Sequence, residues 1–146
     1  PWTVHYQITV DADWRTTRAT AVAASLSGRH ELTVDVSDGR WWVDGTRRRD
    51  LDGCVDIDFE ASVVTNTLAV HRIDLTSDAP VPVPAAFVRA GDLEVVRLEQ
   101  TYRCSDLGTD RIVLDYTSTT FDFSCELIVD PSGLVVSYPG LGRRDA

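Results

Sequence analysis

The sequence contains no lysine, no methionine and no long apolar run. All 14 of its basic residues are arginine and 23 residues are acidic, so the formal net charge is −9. A field of this sign repels phosphate backbones, and we therefore expect no nucleic-acid partner. The longest apolar runs, such as Ala21–Ala24, have only four residues. They are far too short to span a bilayer, so we expect no stable membrane insertion.

Cysteine is also scarce, because the chain has only Cys54, Cys104 and Cys125. These residues lie far apart without a CxxC pair, which excludes a zinc cage or a thioredoxin-type redox motif by spacing. We interpret them as small core residues in a reducing compartment, and we expect a cytoplasmic location, no metal and no cofactor. Whether Cys104 or Cys125 pairs stays open.

No signal peptide is visible at the start of the chain. The sequence opens at Pro1 almost directly in a strand, so we expect an upstream segment to be missing. With 146 residues the chain has the size of one ordinary domain that buries its own core. We predict a single domain over residues 1–146.

Alternation of apolar and polar residues with a period of two is the main structural signal. The clearest strand runs from Phe121 to Val129. Pro131-Ser132-Gly133 follows as a turn and Leu134–Tyr138 returns, which predicts an antiparallel hairpin. Other candidate strands are Val4–Val10, Thr17–Leu26, Leu32–Val36, Arg40–Val43, Val55–Phe59, Leu68–Leu75, Leu93–Cys104 and Arg111–Thr117.

The pattern also predicts the architecture. In Leu93–Cys104 the apolar residues shift from odd-numbered positions, Leu93 and Val95, to even-numbered positions from Val96 onward. An extra residue in the strand, a β-bulge, would cause such a shift. Helical spacing is nearly absent. The one candidate helix is Ala85–Ala90, because the prolines that precede it are compatible with the first turn of a helix. Roughly nine or ten amphipathic strands must curl, because a second sheet, a helix, a partner or a ligand has to cover their apolar face. We predict a mainly β fold in which a partner or an apolar ligand covers part of that face.

Several motifs follow one another from residue 13 to residue 140. They are Asp13-Trp14-Arg15 with Arg18; Gly39-Arg40-Trp41-Trp42-Val43-Asp44-Gly45; Leu51-Asp52-Gly53-Cys54-Val55-Asp56-Ile57-Asp58; Thr65-Asn66-Thr67-Leu68 with Arg72; Gln100 with Tyr102; and Asp130 with Gly133-Leu134-Val135 and Tyr138-Pro139-Gly140. With these motifs the chain resembles the bacterial family described as putative glycolipid-binding, formerly a domain of unknown function. The match covers nearly the whole chain.

The resemblance implies a long, curved antiparallel sheet, similar to a half-barrel, wrapped around a single helix. It also implies a tight homodimer, a shape similar to the periplasmic carriers of lipoproteins, and a lipid or glycolipid ligand. It carries over no catalytic residues, and we expect that the protein is not an enzyme. The chain departs from the family at Ala69, where a proline is expected, and we expect that it lacks the family's N-terminal portion.

Three tryptophans are candidate ligand-binding residues. Trp41 and Trp42 are neighbours, so their side chains lie on opposite faces of a strand. We expect at least one in the core, while the other lies at the surface or stacks on a sugar or an apolar ligand. Trp14, beside Asp13 and Arg15, has the same two interpretations.

Asn66, Arg72 and Tyr102 complete the candidate ligand-binding set. Asn66 could position a sugar hydroxyl or close a turn on its own backbone. Arg72 lies in a predicted apolar strand, and a buried guanidinium needs a partner. Asp56 or Asp58 would supply that partner structurally, and an anionic head group would supply it functionally.

Two charged clusters have competing interpretations. The carboxylates Asp50, Asp52, Asp56 and Asp58 are dense enough to suggest a divalent metal, but their spacing is not that of a calcium-binding helix-loop-helix. We expect a solvated face or salt bridges to arginine instead, with Asp56 and Asp58 on the polar face of a strand. Arg47-Arg48-Arg49 is either a solvated loop or a site for a phosphate or carboxylate head group.

These observations leave three classes of function. The leading hypothesis is a lipid- or glycolipid-binding protein that holds an apolar ligand on the concave face of its sheet. The alternatives are a structural or interaction homodimer without a small-molecule ligand, and an enzyme acting on a lipid or sugar. Catalysis has little support, because there is no Gly-x-Ser-x-Gly elbow. A nucleophile set of Cys54, His71 and an aspartate would rest only on the residue types present.

Overall fold

The structure is a computed structural model that describes residues 2–26, 28–60 and 62–144. As expected, the fold of these residues is mainly β, with curved antiparallel sheets and a single short α-helix. Hydrogen bonds join the strands into three sheets of five, six and three strands. The chain divides into two compact units: a first unit, Pro1–Glu60 with Ala85–Arg97, and a second unit, Ala61–Pro84 with Leu98–Ala146.

The strands are numbered in chain order. They are β1 (Trp2–Val10), β2 (Thr16–Ser25), β3 (Gly28–Ser37), β4 (Arg40–Val43), β5 (Thr46–Arg47), β6 (Asp56–Phe59), β7 (Val81–Pro82), β8 (Ala85–Val88), β9 (Val95–Leu98), β10 (Gln100–Leu107), β11 (Ile112–Ser118), β12 (Phe123–Val129), β13 (Val135–Tyr138) and β14 (Gly142–Arg143). The helical elements are two 3-10 turns, Arg49–Leu51 and Val63–Thr65, and the α-helix α1 (Asn66–Val70). No helix in the described ranges is long and apolar enough to cross a membrane.

The first unit contains a five-stranded meander, β1-β2-β3-β4-β5, in which each neighbouring pair is antiparallel. One face of the meander is apolar, because successive side chains of a strand point to opposite faces. On that face Ala21 of β2 pairs with Leu32 of β3, and Ala19 pairs with Val34. All four are buried, as the predicted alternation required.

The remaining strands of the first unit form the sheet β6-β8-β9, in which β6 and β8 are parallel. Asp56, Ile57 and Phe59 are buried and Asp58 is half-buried. The prediction that Asp56 and Asp58 share a wet face is therefore wrong. Parallel strands are normally covered on both faces. The alternating polar residues of β6 instead indicated a strand with one face in solvent, so the sequence did not predict this burial.

The second unit is built on the six-stranded sheet β14-β13-β12-β11-β10-β7, with all pairs antiparallel. One face of this sheet packs against α1, and we call it the inner face. Ala69 and Val70 of the helix share one apolar cluster with Leu114, Leu127 and Val129 of the sheet. The helix therefore covers apolar side chains of the inner face, which would otherwise be exposed to water.

The position of the helix differs from the prediction. Ala85–Ala90, the predicted helix, contributes strand β8, whose four residues are all buried. The predicted strand Leu68–Leu75 instead begins within α1. A helix of five residues is too short to show helical periodicity and depends on tertiary packing.

The predicted strand Leu93–Cys104 contains two strands in the structure. β9 ends at Leu98 and β10 begins at Gln100, and the two strands belong to different sheets. The slip itself lies within β9, where Val95 and Leu98 are buried and the two residues between them are half-buried. A bulge does occur further on, between Cys104 and Asp106.

The predicted hairpin at residues 121–138 is confirmed as β12 and β13. Its turn is closed by Asp130, whose Oδ1 accepts the backbone N–H groups of Ser132 and Leu134, each at 3.0 Å. Gly133 has φ +82°, and a Cβ at this position would lie 3.1 Å from the ring of His71. The turn therefore requires glycine both for its backbone conformation and for the approach of His71.

Candidate functional site

The inner face of the second unit changes character along its strands. At one end, cross-strand neighbours are apolar, as in the row of Leu114 and Leu127. At the other end they are polar and aromatic. The two rows there are Gln100–Ser118–Phe123 and Tyr102–Tyr116–Cys125. We call these two rows the mixed end.

A hydrogen-bonded group of polar side chains lies at the mixed end. Asn66, the first residue of α1, donates from Nδ2 to the hydroxyl oxygen of Tyr102 at 2.8 Å. The Tyr102 hydroxyl donates in turn toward Oε1 of Gln100 at 3.5 Å. All three residues are buried. The Asn66 side chain therefore makes a tertiary contact, and the alternative of a turn on its own backbone is not what the structure shows.

Thr67 adds a buried hydroxyl beside Asn66 in the chain. The residue is 4% exposed. Within the described residues, Thr67 Oγ1 is the buried side-chain oxygen or nitrogen that makes no hydrogen bond. Such groups are rare in folded proteins, and each calls for an explanation.

An aromatic run leads from the polar group to the surface. The Tyr102 and Tyr116 rings meet edge to face at 5.2 Å between centroids. Tyr116 lies 6.2 Å from Phe123, and Phe123 stacks on Tyr138, also at 6.2 Å. Tyr102 is 1% exposed, whereas Phe123 is 38% exposed. The mixed end thus presents an apolar aromatic edge to solvent and hydrogen-bonding groups in its interior.

Arg72 lies just after α1 and not in a strand, so the predicted setting of this residue is wrong. Its Nη1 donates to the carbonyl oxygen of Leu68 at 3.1 Å. A cation at this position also interacts favourably with the last carbonyl groups of a helix. The half-buried guanidinium therefore has a structural role at the end of α1.

The three predicted tryptophans belong to the first unit. Trp41 is fully buried and its indole Nε1 donates to the carbonyl oxygen of Cys54 at 3.1 Å. Trp42 is half-buried on the opposite face, with the Arg47 guanidinium 5.6 Å from its ring centroid. Trp14 is exposed in the turn between β1 and β2, with φ +61°. The division of Trp41 and Trp42 between core and surface is as predicted.

The arginine cluster of the first unit is tied into its own fold. Arg48 binds Asp50 with two hydrogen bonds, of 2.9 and 2.7 Å, and donates to the carbonyl oxygen of Val95 at 2.8 Å. Arg47 binds Asp52 at 2.6 Å. The hydrogen bond from Arg48 lowers the pKa of Asp50 below its ordinary value. Salt bridges, rather than a head group, therefore account for Asp50, Asp52 and two of the three arginines.

The cysteines form no disulfide within the described residues. Burial raises the pKa of Cys125 to about 11, and it also raises the pKa of Cys104. A thiol with a raised pKa is a poor nucleophile, because the thiolate is the reactive form. The part of the chain that the structure describes also holds no group of three metal-binding side chains.

Sequence reasoning named Asn66 and Tyr102 as ligand-binding candidates, and the structure brings these two into contact. It did not name Thr67, Tyr116, Phe123 or Tyr138 as ligand-binding candidates. The alternation in β11 and β12 placed apolar side chains on one face, but only the cross-strand register shows which aromatics meet.

Comparisons with known proteins agree with the motifs. A sequence model of the family described as putative glycolipid-binding matches residues 1–144. The fold is similar to the crystal structure of a DUF1089 family protein from Pseudomonas aeruginosa, with a TM-score of 0.85 and 31% identity over 99% of this chain and 78% of that chain. No curated protein matches the chain. The chain belongs to the family described as putative glycolipid-binding.

Proposed function

We propose that this protein binds a lipid or glycolipid at the mixed end of the second unit. The observation that carries the proposal is the aromatic run from Phe123, 38% exposed, to Tyr102, 1% exposed and bonded to Asn66. An amphipathic ligand needs an apolar surface for its chain and hydrogen-bonding groups for its head. The mixed end offers both within a few side chains.

The energetics explain why both parts are required. Burial contributes about 0.8 kcal/mol per methylene, so a roughly 12-carbon chain offers on the order of 10 kcal/mol. Association alone costs an estimated ~4 to 15 kcal/mol. A single acyl chain is therefore marginal, and a polar anchor or a second chain has to complete the affinity.

We propose binding without catalysis. The hydrogen-bonding side chains of the mixed end are the amide of Gln100 and the hydroxyls of Ser118 and Tyr102, with the Asn66 amide bonded to Tyr102. None of them is a general base at neutral pH, so the group is suited to holding a hydroxyl rather than to moving a proton. An enzyme acting on a lipid or sugar would require ionisable groups at this position.

The test uses n-dodecyl-β-maltoside below its critical micelle concentration, titrated calorimetrically into the wild-type chain. Phe123→Ser removes the exposed end of the aromatic run, and we expect the Kd to rise at least about tenfold. Trp2→Ser is the matched control, because Trp2 is also exposed but lies in the first unit. No heat of binding for wild type, or an equal loss in the Trp2 variant, would contradict the proposal.

A second candidate is a homodimer with no small-molecule ligand. It is supported by β1, an edge strand of nine residues with no Asp, Glu, Lys or Arg. Such an edge favours pairing with another strand, because natural edge strands are usually protected by charges. Gln7→Lys would place a charge in its centre. If this candidate is right, sedimentation velocity will show a wild-type dimer, a monomeric Gln7→Lys variant and no detergent binding by either.

We also propose a cytoplasmic location. It is supported by the cysteines, because three thiols without a disulfide are typical of a reducing compartment. Fractionation of cells that express the tagged full-length protein tests it. Recovery in the periplasmic or extracellular fraction would contradict it.

A further inference from the structure

Three turns of the second unit each expose one large apolar side chain. Val64 lies in the 3-10 turn before α1, Phe121 lies between β11 and β12, and Leu141 lies between β13 and β14. Their side chains are 57%, 45% and 51% exposed. We call these three the tip residues. Single exposed apolar residues are common on protein surfaces, so their meaning depends on whether they lie together.

The turns that carry Val64 and Leu141 are in contact. β13 packs against the 3-10 turn. A Cβ added to Gly142, which follows Leu141, would lie 3.5 Å from Cγ1 of Val63, which precedes Val64. Two of the tip residues therefore extend from neighbouring turns.

The exposed edge of the aromatic run joins these turns to the third one. Tyr138 accepts the backbone N–H of Leu141 at 3.1 Å, and its ring stacks on Phe123. Phe123 pairs across the sheet with Ser118, whose hydroxyl accepts the backbone N–H of Phe121 at 3.3 Å. All three turns therefore lie at the mixed end.

The two ends of this sheet differ in charge. The turns at the mixed end hold a single charged residue, Asp122, within residues 63–65, 119–122 and 139–141. The turns at the opposite end, residues 108–111 and 130–134, hold Asp110, Arg111 and Asp130. In a chain with 25% charged residues, the mixed end is thus an apolar surface with little charge.

A neutral lipid surface fits these properties better than a protein partner. Apolar side chains on separate turns can enter the boundary between head groups and acyl chains without a matching rigid shape, whereas a protein interface needs close shape complementarity. Tyrosine rings such as Tyr138 are favoured at that boundary. The net charge of −9 opposes anionic lipids, and the three turns contain no arginine to offset it.

We infer that the tip residues form a docking surface for a zwitterionic lipid bilayer, on which the protein lies without crossing it. The inference rests on the proposed function, because it names the surface from which the mixed end takes its ligand. A lipid that leaves the bilayer between the tip residues meets the exposed ring of Phe123 first, and its apolar part is then not transferred through water.

The experiment measures co-sedimentation with vesicles of phosphatidylcholine. Wild type should bind them saturably, and the double variant Val64→Ser, Leu141→Ser should lower the partition coefficient at least about tenfold, because two half-exposed apolar groups are lost. The matched control is Leu107→Ser, Leu134→Ser, which removes side chains of similar exposure, 56% and 43%, at the opposite end of the sheet. It should keep the wild-type partition coefficient within about twofold.

Two further measurements sharpen the test. Vesicles of equal parts phosphatidylcholine and phosphatidylserine should bind wild type more weakly, and added salt should reduce the difference. Monomeric n-dodecyl-β-maltoside should bind the tip variant as it binds wild type, because neither Val64 nor Leu141 belongs to the aromatic run or the hydrogen-bonded group. An unchanged unfolding temperature will show that the variant is folded.

The inference and the proposed function fail in different ways. If wild type binds the maltoside but not phosphatidylcholine vesicles, or if the control variant loses vesicle binding equally, the docking surface is overturned and the proposed function survives. A preference for phosphatidylserine would also overturn it, as would a wild-type dimer that the tip variant dissociates in the absence of vesicle binding. Vesicle binding that depends on the tip residues, without any maltoside binding, would support the docking surface and contradict the proposed function.

Discussion

Trp41 in the first unit and Tyr102 in the second are the two largest fully buried side chains, and their polar atoms are satisfied differently. Trp41 donates to a backbone carbonyl, that of Cys54. Tyr102 accepts from a side chain, Asn66, and donates toward another, Gln100. A bond to backbone ties a side chain to the fold, whereas side-chain amides keep further donors and acceptors that a ligand can use.

The same contrast extends to the threonines. Thr16 in the first unit is buried, and its Oγ1 accepts the backbone N–H of Ile57 at 3.1 Å. Thr67 in the second unit is buried with no such partner in the described part of the chain. Trp41 and Thr16 in the first unit thus bond to its backbone, whereas Asn66, Tyr102 and Gln100 in the second unit bond to one another through side chains.

Removal of Trp41 should have the largest effect on stability. Trp41→Ala leaves a cavity in a fully buried site, and we expect the free energy of unfolding to fall by about 3–5 kcal/mol. Urea unfolding measures this loss. The variant should keep the wild-type affinity for n-dodecyl-β-maltoside wherever it remains folded. A selective loss of maltoside binding would show that Trp41 belongs to the binding site.

Tyr102→Phe should have an intermediate effect. The change leaves the buried Asn66 amide without its acceptor at 2.8 Å, which we expect to cost about 1–3 kcal/mol of unfolding free energy. Asn66→Leu in the Tyr102→Phe background should recover part of that loss, because both polar partners are then gone. Additive losses in this double-mutant cycle would contradict the bond between the two residues.

The turn at Asp130 predicts a smaller, pH-dependent effect. Hydrogen bonds from Ser132 and Arg144 lower the pKa of Asp130 from 3.8 to about 2. A lowered pKa in the folded state means that the stabilisation is fully present above the unfolded pKa and is lost as the pH falls through the folded pKa. Wild type should thus lose stability between about pH 4 and pH 2 through a contribution that Asp130→Asn lacks.

Urea midpoints across this pH range measure the contribution. Asp38→Asn, at an exposed turn of the first unit, is the matched control for general effects of replacing a turn aspartate by asparagine. Identical pH profiles for wild type and Asp130→Asn would show that hydrogen bonds in the turn do not lower the pKa of Asp130 in the folded protein.

The smallest expected signal is the reactivity of Cys125. Its pKa is raised to about 11 by burial, so at about pH 8 only about one molecule in a thousand carries the thiolate. Iodoacetamide should therefore modify Cys125 slowly. Because Cys125 lies in the same cross-strand row as Tyr116, bound maltoside should slow it further. Peptide mass spectrometry measures the rates, and an unchanged rate under saturating maltoside would argue against a ligand at the mixed end.

Much of the fold could be predicted from the sequence because a half-buried strand shows its two faces directly. The hairpin of β12 and β13 is an example, with apolar residues at every second position and a Pro-Ser-Gly turn. The errors fall where this signal is absent. β8 is buried on both faces, Asp56 is buried despite its polar side chain, and α1 is too short to show a helical pattern.

The site could be predicted only in pieces. Asn66 and Tyr102 were chosen for their chemistry, but they lie 36 residues apart in sequence, and no periodicity joins a short helix to a particular strand. The exposure of Phe123 depends on what covers the sheet. The missing partner of Thr67 depends on the absence of an acceptor in three dimensions, which no residue pattern records.

The most direct test of the account is a ¹H–¹⁵N correlation spectrum recorded while n-dodecyl-β-maltoside is added to the labelled protein. We predict that the side-chain amide signals of Asn66 and Gln100 and the backbone signal of Thr67 shift saturably, while the Trp41 indole signal stays in place. Shifts confined to the tryptophan indoles of the first unit, with unmoved signals from Asn66, Thr67 and Gln100, would contradict a binding site at the mixed end.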